Sequence, residues 1–413
     1  MKDELLQQIL AYYFSSRDFN GLPLGGEATE EQKAAAIQLT EEGLVQVVSD
    51  ADYPNPHIRP WASKRTTEQQ VDSIKKLNKE SYQLALYPMP VALKAYKKKK
   101  RYPGQPYRQE MGKGRGTLEP AYFRFDVLER YRNDPKFHFS YWDFGASTGI
   151  GDEAYMDDDE PVGEKTSIQH IGFAYDLSGF DPEKPDSPII RRVAAFYGDL
   201  ADLSPTHQQH WKTYEVKPDG LEPHPAWFMS QMGQFPDGIG PFEKLFSELE
   251  NISDLFKRAF GKPLFKITQR PTDFGWILRA SQQEWDSFVH ELDKVLSDNI
   301  DHKALTAAGV SRKDDDGKDN GSLTRLEQFL TNTGLTAENA KEILKPLRDV
   351  RLARQKPAHE LRKNVTDNTF VHKQIDLLGD VNDSLHRLRQ WLRKHPANKD
   401  WKPKHDVQRG YRM

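Results

Sequence analysis

The sequence predicts a multidomain α+β protein that ends in an all-α helical bundle. The chain has 413 residues, which is enough for about two to four domains of roughly 100–200 residues each. In the middle of the chain apolar residues alternate with polar ones, as in half-buried strands. Toward the C-terminus they recur at helical spacing. We therefore expect an N-terminal module, a central mixed α+β region and a C-terminal bundle, in that order.

Changes in composition and periodicity mark the predicted boundaries. We expect a small module, a basic linker, a central α+β domain, a helical domain and a basic tail, at 1–92, 93–115, 116–278, 279–396 and 397–413 respectively.

The charge of the chain is unevenly distributed. The net charge is only −3, but residues 341–413 carry 18 Lys and Arg against 9 Asp and Glu. The remaining residues carry 41 basic against 53 acidic side chains. A basic C-terminal quarter on an acidic body suggests a polyanionic partner for that quarter. The alternative is a solvated basic face without a partner.

Cysteine and long apolar runs are both missing from the sequence. The chain has no cysteine, which excludes disulfides, thiolate metal sites and cysteine nucleophiles. No run of about 18 apolar residues is present, so we expect no membrane span and no membrane partner. The first residues, Met1–Leu6, enter an amphipathic pattern rather than a signal peptide. We therefore expect a cytoplasmic protein.

The N-terminal module combines helical and strand patterns. Apolar residues from Leu5 to Tyr13 recur at helical spacing, and Thr29 with Gln32 forms a predicted capping box. The run 39–48 then passes from helix to strand. Two helices followed by this run resemble the second half of a winged helix-turn-helix, which implies DNA as a partner. The alternative is a generic small α+β module.

The predicted linker has the composition of a nucleic-acid-binding segment. Residues 94–115 hold nine cations, one acid and three tyrosines. Cations suit phosphates and aromatic rings suit stacked bases. The candidate contacts are Lys97, Lys98, Lys99, Lys100 and Arg101. A solvated, charged hinge is the alternative.

In the central region we predict strands at Tyr122–Leu128 and Phe137–Phe144, from their alternating patterns. Ile189–Leu200 is predicted as a helix. Phe242–Phe260 is predicted as another, ending at Gly261. The aromatic residues of this region are interpreted as core.

Helical periodicity dominates residues 280–396. We predict helices at 284–296, 323–330, 336–351 and 371–392, with Thr336 as an N-cap. Helices joined by modest loops favour a bundle.

Three further patterns suggest cofactor or metal sites but fail on context. The glycine-rich run Phe144–Gly151 is followed by acidic residues that would repel a phosphate, so we expect a loop. Asp316–Glu327 imitates a calcium loop but has Lys318 where an oxygen ligand is needed. His207, His210 and His224 lack a carboxylate at metal-site spacing. We therefore predict no cofactor and no metal.

The run Arg354–His359 carries the residues of a metal-free ribonuclease. Arg354 is suited to holding a phosphate and stabilising a phosphorane. His359 is suited to moving a proton near neutral pH, and Gln355 to orienting the phosphate or the histidine. Cleavage by the ribose 2′-hydroxyl would leave a 2′,3′-cyclic phosphate. Further cations surround the pair, namely Arg348, Arg351, Lys356, Arg362 and Lys363.

Pro357 lies between the two candidate catalytic residues. Proline lacks an amide hydrogen and clashes with the preceding turn, so we expect the helix to loosen at Gln355–Lys356. Such a kink would let Arg354 and His359 face one surface. On an unbroken helix, positions five apart diverge by about 140°.

This run, in an all-helical context, resembles the HEPN superfamily of ribonucleases and defence or toxin proteins. Their signature is Arg, a polar residue, and His after four to six intervening residues. Gln355, where Asn is more usual, and Pro357 are departures. The resemblance implies metal-independent RNA cleavage in a homodimer whose two motifs meet at the interface, and tRNA is a candidate substrate. By analogy, it implies a toxin or antiphage-defence role.

Two alternatives to the ribonuclease hypothesis stay open. The helical domain would be a degenerate, binding-only domain if Arg354 paired with an acid such as Glu360 and His359 were an ordinary interface histidine. The chain would instead be a non-catalytic, DNA-binding regulator if the N-terminal module and Lys97–Arg101 carried the function.

Overall fold

The computed structural model describes most of the chain, namely residues 1–15, 20–50, 52, 56–57, 64–79, 84–97, 102–150, 168–179, 181, 184, 189–231, 240–314, 316–359 and 363–403. At positions 97, 150, 231 and 356–359 only the backbone is described. The chain is mixed α+β with antiparallel strand pairs. Within the described part, no helix is long and apolar enough to cross a membrane.

The chain divides into two compact units. The first comprises 1–139, 146–175 and 191–234, and the second comprises 140–145, 176–190 and 235–413. The predicted boundary between 278 and 279 therefore falls within the second unit.

Nine of the described helices belong to the first unit: α1 (Lys2–Ser15), α2 (Glu30–Glu41), α3 (Thr67–Lys76), α4 (Pro90–Lys97), α5 (Pro106–Met111), α6 (Glu129–Asn133), α7 (Tyr197–Asp202), α8 (Pro205–Tyr214) and α9 (Pro225–Gln231).

The described strands are β1 (Leu22–Leu24), β2 (Val45–Val48), β3 (Leu84–Pro88), β4 (Pro120–Arg124), β5 (Phe137–Trp142), β6 (Gly145–Ile150), β7 (Ile168–Asp176), β8 (Ile190–Phe196), β9 (Glu215–Val216) and β10 (Leu221–Pro223). They form a three-stranded sheet in the order β1-β3-β2 and a seven-stranded sheet in the order β5-β6-β7-β8-β4-β9, with β10 paired to β7.

The small sheet and the first three helices share one core. Ile9 of α1, Leu39 of α2 and Ile74 of α3 are fully buried with Val47 and Leu86 of the sheet. Thr29 and Gln32 form the predicted capping box at the start of α2, so this prediction is confirmed. Helix α3 lies between β2 and β3 in the chain, and a second capping box starts it. Local capping and core burial therefore agree in this module.

The predicted basic linker, 93–115, is folded where it is described. It contains the end of α4 and all of α5, and it buries Leu93, Tyr107 and Met111. The hydroxyl of Tyr13 in α1 donates to the Arg115 carbonyl at 3.0 Å and lies 3.3 Å from the Met111 carbonyl. The tyrosine interleaving that suggested stacking on bases thus serves internal packing at Tyr107.

Ile189–Leu200 is not the helix that its pattern predicted. Residues 190–196 form β8, and the helix α7 begins only at Tyr197. Strand β8 pairs antiparallel with β4, so that Val193 lies opposite Phe123. The β-branched residues and this cross-strand partner outweigh the helical spacing.

The glycine-rich run at 144–151 also departs from prediction. Gly145–Ile150 forms strand β6 instead of a loop. A phosphate cradle needs a turn that opens a helix, and this run sits within a sheet.

A glycine in β7 makes room for a large aromatic side chain. Trp227 of α9 is buried, stacks on Phe196 at 4.5 Å between ring centroids, and donates its indole N–H to the His170 carbonyl. A Cβ atom at Gly172 would lie 2.0 Å from Cδ2 of Trp227. Glycine is therefore required at 172 by packing.

The described helices of the second unit are α10 (Pro241–Phe260), α11 (Gln282–Asp293), α12 (His302–Ala307), α13 (Ser322–Asn332), α14 (Ala337–His359) and α15 (Thr369–Arg393), with a π-helical turn at Lys294–Asp298. Helix α10 packs along α15, and α14 packs against α11, α13 and α15. The predicted helical periodicity of this region is confirmed. So are the C-cap at Gly261, whose φ is +78°, and the N-cap at Thr336.

One buried ion pair joins α10 and α15. Arg389 of α15 donates through Nε to Oε2 of Glu248 in α10 at 2.6 Å, and both side chains are almost fully buried. His386, one turn away, contacts the second carboxylate oxygen. Each buried charge therefore has a partner, as burial of a charge requires.

Gly172→Ala is expected to destabilise the protein by about 3 kcal/mol, because the new methyl group would displace Trp227 from a packed core. Gly379→Ala is the matched control: position 379 is inside α15 and has open space around it. That change is expected to stabilise the helix by about 0.5–1 kcal/mol. Urea unfolding followed by tryptophan fluorescence measures both, and equal effects of the two substitutions would contradict the packing argument.

His224 should make the stability of the first unit depend on pH. It is buried, its Nδ1 accepts the Ala226 amide at 3.1 Å, and burial lowers its pKa to about 4. The unfolded chain binds a proton near pH 6.5, so the stability contributed by neutral His224 is full above that pH and is lost as the pH falls toward 4.

We expect His224→Asn, which keeps an acceptor for the Ala226 amide, to reduce the loss of stability between pH 7 and pH 4.5 by about 2 kcal/mol. Urea unfolding of both proteins at the two pH values gives the difference. Identical pH dependence in the two proteins would show that His224 does not titrate as its burial implies.

Candidate functional site

Helix α14 carries both predicted catalytic positions without a break. The helix runs from Ala337 through Pro357 to His359, so the predicted kink at Gln355–Lys356 is wrong. Pro357 lies in the last turn, where only the bond to the Ala353 carbonyl is lost. The helix packs against α11, α13 and α15, and its last buried residue among the described side chains is Val350. Within one chain, positions 354 and 359 therefore diverge by about 140° around the helix.

Arg354 is held by two acidic residues. Its Nη1 donates to Oδ2 of Asp293 at 2.6 Å and to Oδ2 of Asp298 at 3.0 Å. Asp293 is fully buried at the end of α11, whereas the Asp298 side chain is about half exposed. The contact fastens α14 to the end of α11.

The π-helical turn explains how both acids reach one guanidinium. Asp293 and Asp298 are five positions apart, and the turn Lys294–Asp298 separates them. A π-turn closes its hydrogen bonds over five residues instead of four. It therefore brings positions five apart to nearly the same face, where a regular α-helix would separate them.

The guanidinium of Arg354 remains a partly available donor. Hydrogen bonds to Asp293 and Asp298 raise the pKa of Arg354 above its ordinary value, so the group is charged at neutral pH. Both bonds use Nη1, and within the described residues neither Nε nor Nη2 has a partner. The side chain is 31% exposed. Three N–H donors of the fork are therefore open to a ligand.

The other predicted contacts of this region are partly described. Arg351 is half-buried, Gln355 and Lys363 are exposed, and Arg348 pairs with Glu327 of α13. For Lys356 and His359 the helical backbone alone is described, and Arg362 and Glu360 lie outside the described residues.

The second set of predicted contacts belongs to the first unit. Lys97 ends α4, with its backbone alone described, and Lys98–Arg101 lie outside the described residues. Of this set the structure therefore describes only the backbone of Lys97.

One face of α14 joins exposed residues with position 359. Leu352 is 56% exposed and Gln355 is exposed. Positions 352, 355 and 359 follow helical spacing of three, four and seven, so their Cα atoms lie on one face of the helix. Arg354 is on a different face, toward α11.

The three histidines of the metal-like pattern have other partners. His207 bonds the Tyr131 hydroxyl at 2.9 Å, His210 bonds the Val127 carbonyl, and His224 caps α9. In the part of the chain that the structure describes, no cluster of His, Asp and Glu could hold a metal ion.

Arg354 pairs with acids, as the binding-only alternative expects, but the acids are Asp293 and Asp298 rather than Glu360. Asp293 is 61 residues from Arg354 along the chain. One signal in the sequence could have predicted a cationic partner for Asp293. This aspartate occupies a buried position of the amphipathic helix α11, and a buried carboxylate needs a cation.

Comparison of the chain with models of protein families, with curated proteins and with solved structures finds no match. The interpretation of the site therefore depends on its own geometry.

Arg354→Ala should lower the free energy of unfolding by about 2 kcal/mol or more, because it leaves the buried Asp293 carboxylate without its cation. Arg351→Ala, in the same helix, is the control and should change stability by less than about 0.5 kcal/mol. In an Asp293→Asn background the cost of Arg354→Ala should fall. Chemical denaturation of the wild type, the two single variants and the double variant gives the coupling energy between Arg354 and Asp293. Equal costs of Arg354→Ala in both backgrounds would contradict the ion pair.

Proposed function

We propose that the chain is a metal-independent endoribonuclease of the toxin or antiphage-defence type that acts as a homodimer through α14. His359 transfers protons at the ribose 2′-hydroxyl or the 5′-leaving oxygen, Arg354 stabilises the phosphorane, and Gln355 orients the phosphate. The products carry 2′,3′-cyclic phosphates. The proposal needs neither a metal nor a cofactor.

The orientation of Arg354 is the observation that carries this proposal. One terminal nitrogen of Arg354 makes both contacts with the acids, and its Nε and Nη2 have no partner within the described residues on a side chain that is 31% exposed. A guanidinium fixed in direction loses less conformational freedom when it binds a phosphate.

The unbroken helix supports a dimer over a single-chain site. Because positions 354 and 359 diverge on one α14, a histidine and an arginine that act on one phosphate would come from two copies of the helix. A two-fold axis brings the same surface of both copies together. Exposed Leu352, on the face of position 359, supplies an apolar contact for such an interface.

The basic composition of the C-terminal quarter favours RNA as the substrate. Residues 341–413 carry 18 Lys and Arg against 9 Asp and Glu. Asp293 and Asp298 balance the charge of Arg354 locally, so attraction of the polyanion falls to the surrounding cations, including exposed Lys363.

We expect the purified protein to cleave tRNA in EDTA and to leave cyclic phosphate ends. His359→Ala should reduce the rate by about 10³-fold, because general acid–base catalysis is lost. Gln355→Ala should reduce it less. Lys75→Ala, an exposed position on α3 in the first unit, is the control and should cleave normally.

Leu352→Asp tests the dimer. We expect it to produce monomers in sedimentation experiments and to lose cleavage, while Arg354 keeps its ion pairs and the thermal transition is unchanged.

If the enzyme needs a cellular trigger, the purified protein will not cleave RNA, and growth of expressing cells is the better test. We expect the wild type to be toxic and His359→Ala to be harmless. Intact RNA, equal growth of both strains, and duplex-DNA binding that is lost on substitution of Lys97–Arg101 would together favour the non-catalytic regulator.

A further inference from the structure

A polar cleft in the first unit has the size of a small-molecule site. Its volume is ≈ 400 Å³, and it lies where the edge strand β9 pairs with β4, beside the start of α7 and the end of α8. Small-ligand sites in proteins measure about 300–1,000 Å³. The cleft is in a different unit from Arg354 and plays no part in the proposed cleavage.

Two buried phenols line the cleft without a hydrogen-bond partner. Tyr122 is 7% exposed and Tyr197 is 8% exposed. Tyr122 is held by β4, opposite Val216 of β9, and the Tyr197 amide is held by the Glu119 carbonyl at 3.1 Å. Neither hydroxyl makes a hydrogen bond within the described residues. Neither oxygen is among the fully buried side-chain atoms that lack a partner, so both reach solvent and are accessible to a ligand.

Both phenols are donors at neutral pH. Burial raises the pKa of Tyr197 to about 12 and also raises the pKa of Tyr122. Because the hydroxyls stay protonated, each offers one O–H to an acceptor such as a phosphate or carbonyl oxygen.

Three cations stand at the same cleft. Lys217 is exposed and has no acidic partner within the described residues. Arg115 lies over the Tyr197 ring at 5.3 Å, contacts Glu119 through Nη1 and lies 3.7 Å from Glu110 through Nε, so that only Nη2 has no partner within the described residues. Lys212 pairs with Glu215 at 2.8 Å. Two of the three cations therefore offer donors to an anion.

Carboxylates complete the lining on another side. Glu215 is fixed by Lys212 and by the hydroxyl of Tyr107, which donates to Oε2 at 2.8 Å. Glu119 also lines the cleft. Carboxylate oxygens accept from amino groups, so the ligand that fits has an anionic end, an aromatic or apolar body and an amino group.

We propose that this cleft binds a nucleoside phosphate. Lys217 and Arg115 would hold the phosphate, the phenol hydroxyls of Tyr122 and Tyr197 would donate to phosphate or base oxygens, and the base would pack against the aromatic wall. The amino group of a base would donate to Glu119 or Glu215. The chain then carries a nucleotide site in the first unit that is separate from the RNA site in the second.

Isothermal titration of the full chain with the four common nucleoside 5′-monophosphates, their nucleosides and inorganic phosphate tests the site. At least one monophosphate should bind with a Kd below about 1 mM, with its nucleoside and phosphate each at least tenfold weaker. Lys217→Ala should weaken binding about tenfold. Tyr122→Phe and Tyr197→Phe each remove one unpaired hydroxyl and should weaken it about threefold or more, while thermal stability is kept.

Lys75→Ala, remote in sequence from the cleft, should bind as the wild type does. So should His359→Ala, which removes the proposed ribonuclease activity and lies in the second unit. Absence of binding by every monophosphate would overturn the proposal. Binding unaffected by Lys217→Ala and both Tyr→Phe changes would place the nucleotide elsewhere and overturn it as well. Inorganic phosphate bound as tightly as the nucleotides would replace it with a simple anion site.

Discussion

The buried carboxylate of Asp293 constrains everything around the ribonuclease-like motif. A charge without solvent needs a cation, and Arg354 supplies it across the packing of α11 on α14. The π-turn that follows α11 adds Asp298 to the same guanidinium. This contact fixes the direction of Arg354 and also balances its charge. A phosphate at this point would therefore be recognised by oriented N–H donors, with long-range attraction left to the other cations of the C-terminal quarter.

Paired and unpaired polar groups have different roles in this chain. In the second unit Glu248 binds Arg389, and Arg325 donates to the carbonyls of His302 and Val310. These contacts join helices of the bundle. In the first unit the hydroxyls of Tyr122 and Tyr197 have no partner within the described residues, and both residues line a cleft. Donors without a partner at a cleft are available to a ligand, whereas the paired groups stabilise the fold.

Predictions from local patterns succeeded where local interactions decide the structure. The capping box of Thr29, the C-cap at Gly261 and the long amphipathic helices of the bundle all follow from residues within a few positions of one another. Predictions failed where distant segments decide. Ile190–Phe196 is a strand because β4 lies beside it. Helix α14, which packs against α11, α13 and α15, runs through Pro357 in its last turn, whereas the proline alone predicted a break.

The amino-acid sequence by itself determined the chemistry that is available: a basic C-terminal quarter, a chain without thiols, and an arginine, a glutamine and a histidine close together in one helical run. Only the tertiary structure decided what those groups face. It turned Arg354 toward Asp293, separated positions 354 and 359 around an unbroken helix, and gathered Tyr122, Tyr197 and Lys217 at one cleft. The physical reason is that residue type and spacing set local conformation, whereas ion pairs and clefts join residues far apart in the chain.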